Sequence, residues 1–145
     1  MAHYLGTPYK RGHSDVIQAY DRPTTDIEEG LAVVEKSGTT IEKATGSNGV
    51  IVGVMGGTEH KGASAVICGA EVAVQLDDGV STIQTTESVY VTPDGKFSNT
   101  DGSSANKQVN ATWVDGVVYS DGVVSVGSSK RTNQKCALIS FRGGL

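Results

Sequence analysis

A chain of 145 residues is long enough for one domain with a hydrophobic core. Its 12 basic and 16 acidic side chains give a net charge of −4 without a block of either sign, which disfavours binding to nucleic-acid phosphates. The longest apolar run, residues 49–57, is far shorter than the ~20 residues of a membrane-spanning helix, so we expect no membrane segment. The 19 glycines favour short strands and turns, because each glycine costs a helix about 1 kcal/mol relative to alanine.

Six Asx-Gly pairs punctuate the chain, most of them close to β-branched or aromatic residues. Asn and Asp tolerate the left-handed backbone region and Gly occupies it without steric cost, so these pairs favour the type I′ turns of antiparallel hairpins. We therefore predict an all-β fold, a small antiparallel barrel or sandwich of short strands and hairpins. The pairs are Asn48-Gly49, Asp78-Gly79, Asp94-Gly95, Asp101-Gly102, Asp115-Gly116 and Asp121-Gly122.

The N-terminal 26 residues differ in composition from the rest of the chain. They contain two prolines, three tyrosines and several basic residues, without a clean hydrophobic period. This pattern predicts an extended arm over residues 1–26, with one strand at residues 16–20, that lies on its own domain or on a partner. Residues 27–145 are predicted to form a single β domain.

The first half of this domain contains several short apolar stretches. Residues 50–54 form an almost uninterrupted apolar run, which is typical of a central strand. A polar loop is predicted at residues 56–62, and a bulge or bend at Gly69, where β character is interrupted. Further strands are predicted at residues 31–34, 39–43, 65–68 and 71–76.

The second half contains two predicted hairpins. The first joins residues 89–92 to residues 96–98 through Pro93-Asp94-Gly95, because proline presets the turn and glycine closes it. The second is expected to turn at Asp121-Gly122. Residues 99–108 should be an exposed loop, the alternation at residues 109–113 predicts a half-buried strand, and residues 136–141 predict a closing apolar strand.

No residue pattern indicates a catalytic site, a bound cofactor or a metal centre. The three histidines, His3, His13 and His60, have no zinc-like spacing and lie far from both cysteines in sequence, so we expect solvated or turn histidines. Cys68 and Cys136 lie in apolar stretches without a secretion signal before them. Buried free thiols are therefore expected, and a disulfide between neighbouring strands is the alternative. The single tryptophan, Trp113, is expected in the core.

The order of segments resembles that of the phage structural cement, or capsid decoration, protein family. An N-terminal arm is followed by glycine-valine strands, a variable loop, the Pro93-Asp94-Gly95 hairpin and an apolar closing strand. The segments that carry this resemblance are residues 29–34 (EGLAVV), 49–54 (GVIVGV), 69–74 (GAEVAV), 89–98 (VYVTPDGKFS) and 136–141 (CALISF).

The resemblance implies a virion structural protein and not an enzyme. Proteins of this family are small β domains that sit outside the capsid as dimers or trimers and bridge subunits of the major capsid protein. The expected partners are thus the major capsid protein and further copies of this chain, without nucleic acid or membrane. Aromatic and arginine side chains often anchor interfaces, and the residues expected to contact capsid or a neighbouring copy are Tyr4, Tyr9, Arg11, Tyr20, Arg22, Phe141 and Leu145.

The main alternative is a β-sandwich binding module of a phage tail or a host-surface recognition protein, with carbohydrate as its ligand. Such a module needs an exposed aromatic platform, and the sequence offers few aromatic residues outside the arm. A small hydrolase is a further alternative that lacks a recognisable histidine, acid and nucleophile set.

Overall fold

The structure is a computed structural model that describes residues 3–7, 16–59, 62–125 and 130–142. These residues form strands and turns without a helix, which confirms the predicted all-β fold. Accordingly, none of them belongs to a helix that could cross a membrane. The strands are β1 (His3–Tyr4), β2 (Val16–Asp21), β3 (Ala32–Ser37), β4 (Thr40–Lys43), β5 (Ile51–Glu59), β6 (Gly62–Gln75), β7 (Tyr90–Val91), β8 (Phe97–Ser98), β9 (Lys107–Gln108), β10 (Ala111–Trp113), β11 (Tyr119–Val124) and β12 (Arg131–Phe141).

Nine of the strands belong to one sheet and three to a smaller one. The large sheet has the order β1-β11-β12-β6-β5-β3-β4, with β10 added to β12 and β2 added to β6. All of its pairs are antiparallel except β1 with β11. The small sheet has the order β8-β7-β9 and contains the predicted hairpin, whose turn holds Gly95 at a φ of +79°.

Strand β6 organises the large sheet because its two halves have different neighbours. Its first half pairs with β5 and β2, and its second half pairs with β12. The change occurs at Gly69, where a Cβ atom would lie 2.5 Å from Val72 Cγ2. A side chain at this position would collide with its neighbour, so glycine permits the local bend that the sequence predicted.

Alternate residues of β6 and β12 fill two cores on opposite faces of the sheet. Val74 and Ile139 pack with Phe97 and Trp113 on the face covered by the small sheet, so Trp113 is a core residue as predicted. The opposite face contributes Ala73, Cys136 and Leu138, which pack with Leu5 and Val124. This alternation is the period of two that a strand buried on both faces requires.

A third core lies where the sheet curls into a half-barrel. The strands β2, β6, β5, β3 and β4 bend until the Asp21 amide donates a hydrogen bond of 2.7 Å to the Thr39 carbonyl between β3 and β4. The interior is filled by side chains from all of these strands and from the segment before β3. They are Tyr20, Ile27, Leu31, Val33, Ile41, Met55, Ala63 and Ala65.

Two sequence predictions about turns and loops are wrong. Of the polar loop expected at residues 56–62, residues 56–59 belong to β5 and Gly62 belongs to β6, while residues 60 and 61 lie outside the described residues. The turn expected at Asp121-Gly122 is instead part of β11, which runs through both residues beside β12. A Cβ atom on Gly122 would lie 2.7 Å from the Gln134 carbonyl oxygen, so this glycine serves close approach of two strands.

Candidate functional site

Residues 3–7 lie across the large sheet as a docked segment. The Leu5 side chain is 2% exposed and packs among Ala73 and Leu138. The Leu5 amide donates to the Val123 carbonyl at 3.3 Å, and the Gly6 amide donates to the Ala73 carbonyl at 2.7 Å. Strand β1 therefore forms part of the folded sheet, and Leu5, which follows it, contributes to one of the cores.

Strand β2 is the second described part of the predicted arm, and it has an open first half. Four consecutive residues, Val16, Ile17, Gln18 and Ala19, are exposed, including Val16 at 46% and Ile17 at 57%. A strand that is covered on one face would bury alternate residues, so both faces of this half lie in solvent. Among the described residues, β6 is the only strand that pairs with β2, so the other edge of β2 has no strand beside it. In the described part of the chain, the one backbone hydrogen bond at that edge is the bond from Asp21 to Thr39, which closes the half-barrel.

The side chains expected to contact a partner fall into three groups. Tyr4 is 58% exposed, and Arg22 is partly exposed and lies 3.4 Å from Asp26 as an ion pair. Tyr20 and Phe141 are buried within the chain itself, because Tyr20 points into the half-barrel and Phe141 into the core beneath the small sheet. The remaining three, Tyr9, Arg11 and Leu145, lie outside the described residues.

A cleft of about 710 Å³ opens at the end of the half-barrel, next to Arg22. It is bounded by residues 22–28, the hairpin of β3 and β4, and the turn at residues 94–96. Basic and acidic side chains alternate around its rim, with Lys36 and Glu42 paired at 3.6 Å. The mixed charge favours no ligand of one sign, and apolar side chains such as Ile27 and Ile41 also line the cleft, so the cleft extends the exposed surface beside β2.

The segment that leads into β3 is fixed by a polar network. The buried Glu29 carboxylate accepts hydrogen bonds from the amide and the hydroxyl of Ser125. The Gln75 side-chain amide donates to the Glu28 carboxylate at 3.0 Å and to the Glu29 backbone carbonyl at 3.0 Å, and the Arg131 guanidinium also donates to the Glu28 carboxylate. Because each buried group named here has a partner, the network explains how this turn is held and suggests no reactive group.

A cluster of three potential metal ligands lies on β1, β11 and β12. The Nδ1 atom of His3 is 2.7 Å from Asp121 Oδ1, and the ligand atoms of His3, Asp121 and Cys136 all lie within 4.8 Å of one another. The Tyr119 ring packs on the His3 imidazole with 4.2 Å between the centroids. The prediction of solvated or turn histidines is therefore wrong for His3, which lies on β1, is paired and is largely covered, while His13 and His60 lie outside the described residues.

The Cys136 thiol is free and fully buried, as the sequence predicted. Burial, followed by the charge of the nearby Asp121, raises the pKa of this thiol to about 12. The group is therefore a neutral thiol near pH 7. The Cys68 side chain lies outside the described part of the structure, and its expected burial stays a prediction.

Sequence reasoning missed this cluster because its members are distant along the chain. His3 and Asp121 are separated by 118 positions, and the two are joined by the parallel pairing of His3 with Gly122. No spacing rule for metal ligands covers such a separation, since those rules describe ligands on one loop or helix. The one available signal was an Asp-Gly pair flanked by strand residues on both sides.

No protein-family model matches the chain, and neither a curated protein nor a solved structure shows significant similarity to it.

Proposed function

We propose that this chain is a structural cement protein, which binds the outer surface of a phage capsid and bridges subunits of the major capsid protein. The order of its segments supports the proposal, and so does its small all-β scaffold. The observation that carries it is the open first half of β2, where four consecutive residues are exposed at the edge of the large sheet.

An edge strand of this kind can accept a strand from another chain. Its unpaired backbone groups are donors and acceptors for β-augmentation, and sheets usually protect such edges with lysine, proline or a bulge. The residues from Val16 to Ala19 contain neither lysine nor proline, and their one protective feature is the register irregularity between Val16 and Ile17. Val16 and Ile17 are about half exposed, so full burial by a partner would contribute about half of the 1.5–3 kcal/mol of an entirely exposed side chain, roughly 1 kcal/mol each.

The same N-terminal segment offers further contacts. A specific interface buries at least ~1,000 Å², which exceeds what half a strand can provide. Tyr4 and Arg22 are exposed side chains of the types that anchor interfaces, and the cleft beside Arg22 adds exposed surface. Tyr20 and Phe141 take no part in this proposal because both are buried within the chain.

The function follows from mass action. A ligand that binds the assembled capsid and not its dissociated subunits stabilises the shell by its binding free energy. Copies associated as dimers or trimers on the outside of the shell would multiply a modest contact. The role requires adhesion alone, and the proposal therefore assigns no catalytic residue and no cofactor.

The test uses point substitutions, because deleting residues 1–21 would also remove the buried Leu5 and Tyr20 from the cores. In Val16→Lys/Ile17→Lys, two charges replace apolar side chains at the open edge. The matched control is Val50→Lys, which changes a valine of similar exposure, 59%, outside β2. Each protein is mixed with expanded capsids of the same phage that lack decoration, and co-sedimentation is measured.

We expect the β2 variant to bind at least tenfold more weakly, since a loss of about 1.4 kcal/mol is one factor of ten. The control should bind as the parent does. Equal decoration by both variants would overturn the role of β2, and imaging of virions without exterior density for this chain would overturn the cement function. Binding of the parent chain to immobilised glycans would instead support the carbohydrate-binding alternative.

A further inference from the structure

The cluster on β1, β11 and β12 combines three different kinds of metal ligand. His3 offers an imidazole nitrogen, Asp121 a carboxylate oxygen and Cys136 a sulfur, all within 4.8 Å of one another. Strand register places them together: His3 is paired with Gly122, and Tyr119 is paired with Cys136. The arrangement is thus a product of the main sheet and does not depend on a loop.

The geometry points to a transition-metal site of the class that takes Zn²⁺, formed by His3, Asp121 and Cys136. Zinc accepts all three ligand types at distances of about 2.0–2.3 Å, which places ligand atoms roughly 3.5 Å apart in a tetrahedral site. His3 and Asp121 would separate by about 1 Å, and Cys136 would lose its thiol proton to solvent, because sulfur binds zinc as a thiolate. Hard cations such as Mg²⁺ and Ca²⁺ are disfavoured, because they select oxygen ligands.

The surroundings of the cluster favour a cation. The negative charges of Asp115, Glu71 and Asp121 create a negative potential at Tyr119, whose ring packs on His3. The Tyr119 hydroxyl donates a hydrogen bond of 2.5 Å to Asp115. The absence of a side chain at Gly122 lets β11 lie close to the sulfur, because a Cβ atom there would lie only 3.2 Å from Cys136 Sγ. Packing of Tyr119 on His3 also restricts the orientation of the imidazole.

A metal ion at this position would fasten the N-terminal strand to the sheet. His3 is the only one of the three ligands on residues 3–7, so the ion would add a link to the hydrogen bonds of Leu5 and Gly6. The side chains of His3 and Asp121 are 17% and 35% exposed, which leaves a side from which water can complete a tetrahedral site. This inference is independent of the capsid-binding proposal, because it concerns the isolated chain.

The test is titration of the purified, metal-free protein with Co²⁺ and with Zn²⁺. Tetrahedral Co²⁺ absorbs visible light, and a cobalt–thiolate bond adds charge-transfer absorption in the near ultraviolet. We expect both signals at one metal ion per chain, and displacement of Co²⁺ by Zn²⁺. Amide hydrogen exchange at Leu5 and Gly6 should slow on addition of Zn²⁺, as a link to β1 requires.

Three variants and a matched control identify the ligands. His3→Gln and Asp121→Asn change partly exposed side chains and should weaken binding at least tenfold, while Cys136→Ser should remove the charge-transfer band. Cys68→Ser replaces the other cysteine and should leave all signals unchanged. The site is refuted if Co²⁺ gives no tetrahedral spectrum, or if His3→Gln and Asp121→Asn both bind as the parent does. It is also refuted if the charge-transfer band depends on Cys68. Because the first two variants lie near the surface, these outcomes can be read even if Cys136→Ser does not fold.

Discussion

Gly6 is the position at which a single methyl group should release the N-terminal segment. Its φ is +74°, and a Cβ atom there would lie 2.0 Å from the Met55 carbonyl oxygen and 3.0 Å from Gly56 Cα. These are backbone atoms of β5 that cannot move without disturbing its pairing with β6. In Gly6→Ala we therefore expect residues 3–7 to leave the sheet, and Leu5 to leave its core.

The loss of unfolding free energy can be no larger than the cost of releasing residues 3–7 completely. Leu5 is the one fully buried side chain in the docked segment, and truncation of a buried leucine costs about 2–5 kcal/mol. The freed residues regain about 1–2 kcal/mol each of backbone entropy, which offsets part of the lost burial and hydrogen bonding. Release also breaks the hydrogen bonds of the Leu5 and Gly6 amides, so we expect Gly6→Ala to lower the free energy of unfolding at least as much as Leu5→Ala does.

The two substitutions should also fail to add. Once Gly6→Ala has released the segment, the Leu5 side chain is already outside its core, so the double variant Leu5→Ala/Gly6→Ala should be no less stable than Gly6→Ala alone. Gly57→Ala is the matched control, because this β5 glycine has no positive φ and no atom within 4 Å of an added Cβ. Its stability should change by less than about 0.5 kcal/mol.

Urea denaturation measures these free energies, and amide hydrogen exchange identifies the segment that is released. In Gly6→Ala the amides of residues 5 and 6 should exchange rapidly, while those of β6 and β12 stay protected. The reasoning is refuted if the costs of the two single substitutions add, or if the amide of residue 6 in Gly6→Ala remains as protected as in the parent.

Two further predictions concern buried aromatic side chains. Burial, followed by the hydrogen bond to Glu35, raises the pKa of Tyr20 to about 12, so the fold favours the neutral phenol. The resulting stabilisation should be complete below about pH 10, the usual value for tyrosine, and should disappear as the pH rises through about 12. Tyr20→Phe should remove this alkaline loss and lower stability at pH 7 by an amount near the lower end of about 1.5–3 kcal/mol, because Glu35 is exposed. Urea denaturation across the pH range checks both effects, and an unchanged alkaline transition in the variant would contradict them. Trp113 is buried and its indole donates to the Ser88 carbonyl at 3.3 Å. Trp113→Ala should therefore cost about 3–5 kcal/mol by circular dichroism in urea, and a cost under 1 kcal/mol would show that the small sheet repacks.

The sequence predicts a turn correctly where local residues determine the backbone conformation. It fails where contact with a distant strand determines that conformation. Asp94-Gly95 lies beside a proline, and its glycine adopts the left-handed conformation that the pattern predicts. Asp121-Gly122 has the same local chemistry, but its glycine is in a strand because the Gln134 backbone approaches closely. Local propensity cannot distinguish these cases, since the second one depends on a residue twelve positions away.

The stretch at residues 56–62 shows a second limit. Glycine and polar residues are depleted in strands, which favoured a loop for this stretch. Here β6 provides a long partner that extends beyond the core, so Gly57 can sit in β5 with open space around it. Pairing of the backbone continues from Val54 to Glu59 opposite Val66 to Gly62, and the local pattern of glycine and polar residues does not indicate this pairing.

The folded position of β2 lowers the entropy cost of binding a partner in the proposed function. A free arm must be ordered when it binds, and each immobilised residue then costs conformational entropy. In this fold Tyr20 is buried in the half-barrel, and β2 is already extended beside β6 when Val16 and Ile17 meet a partner. The ordering cost of β2 is therefore met during folding, and more of the contact energy remains for binding. For the same reason the residues that hold β2, and not only those that face outward, should determine how tightly the chain attaches.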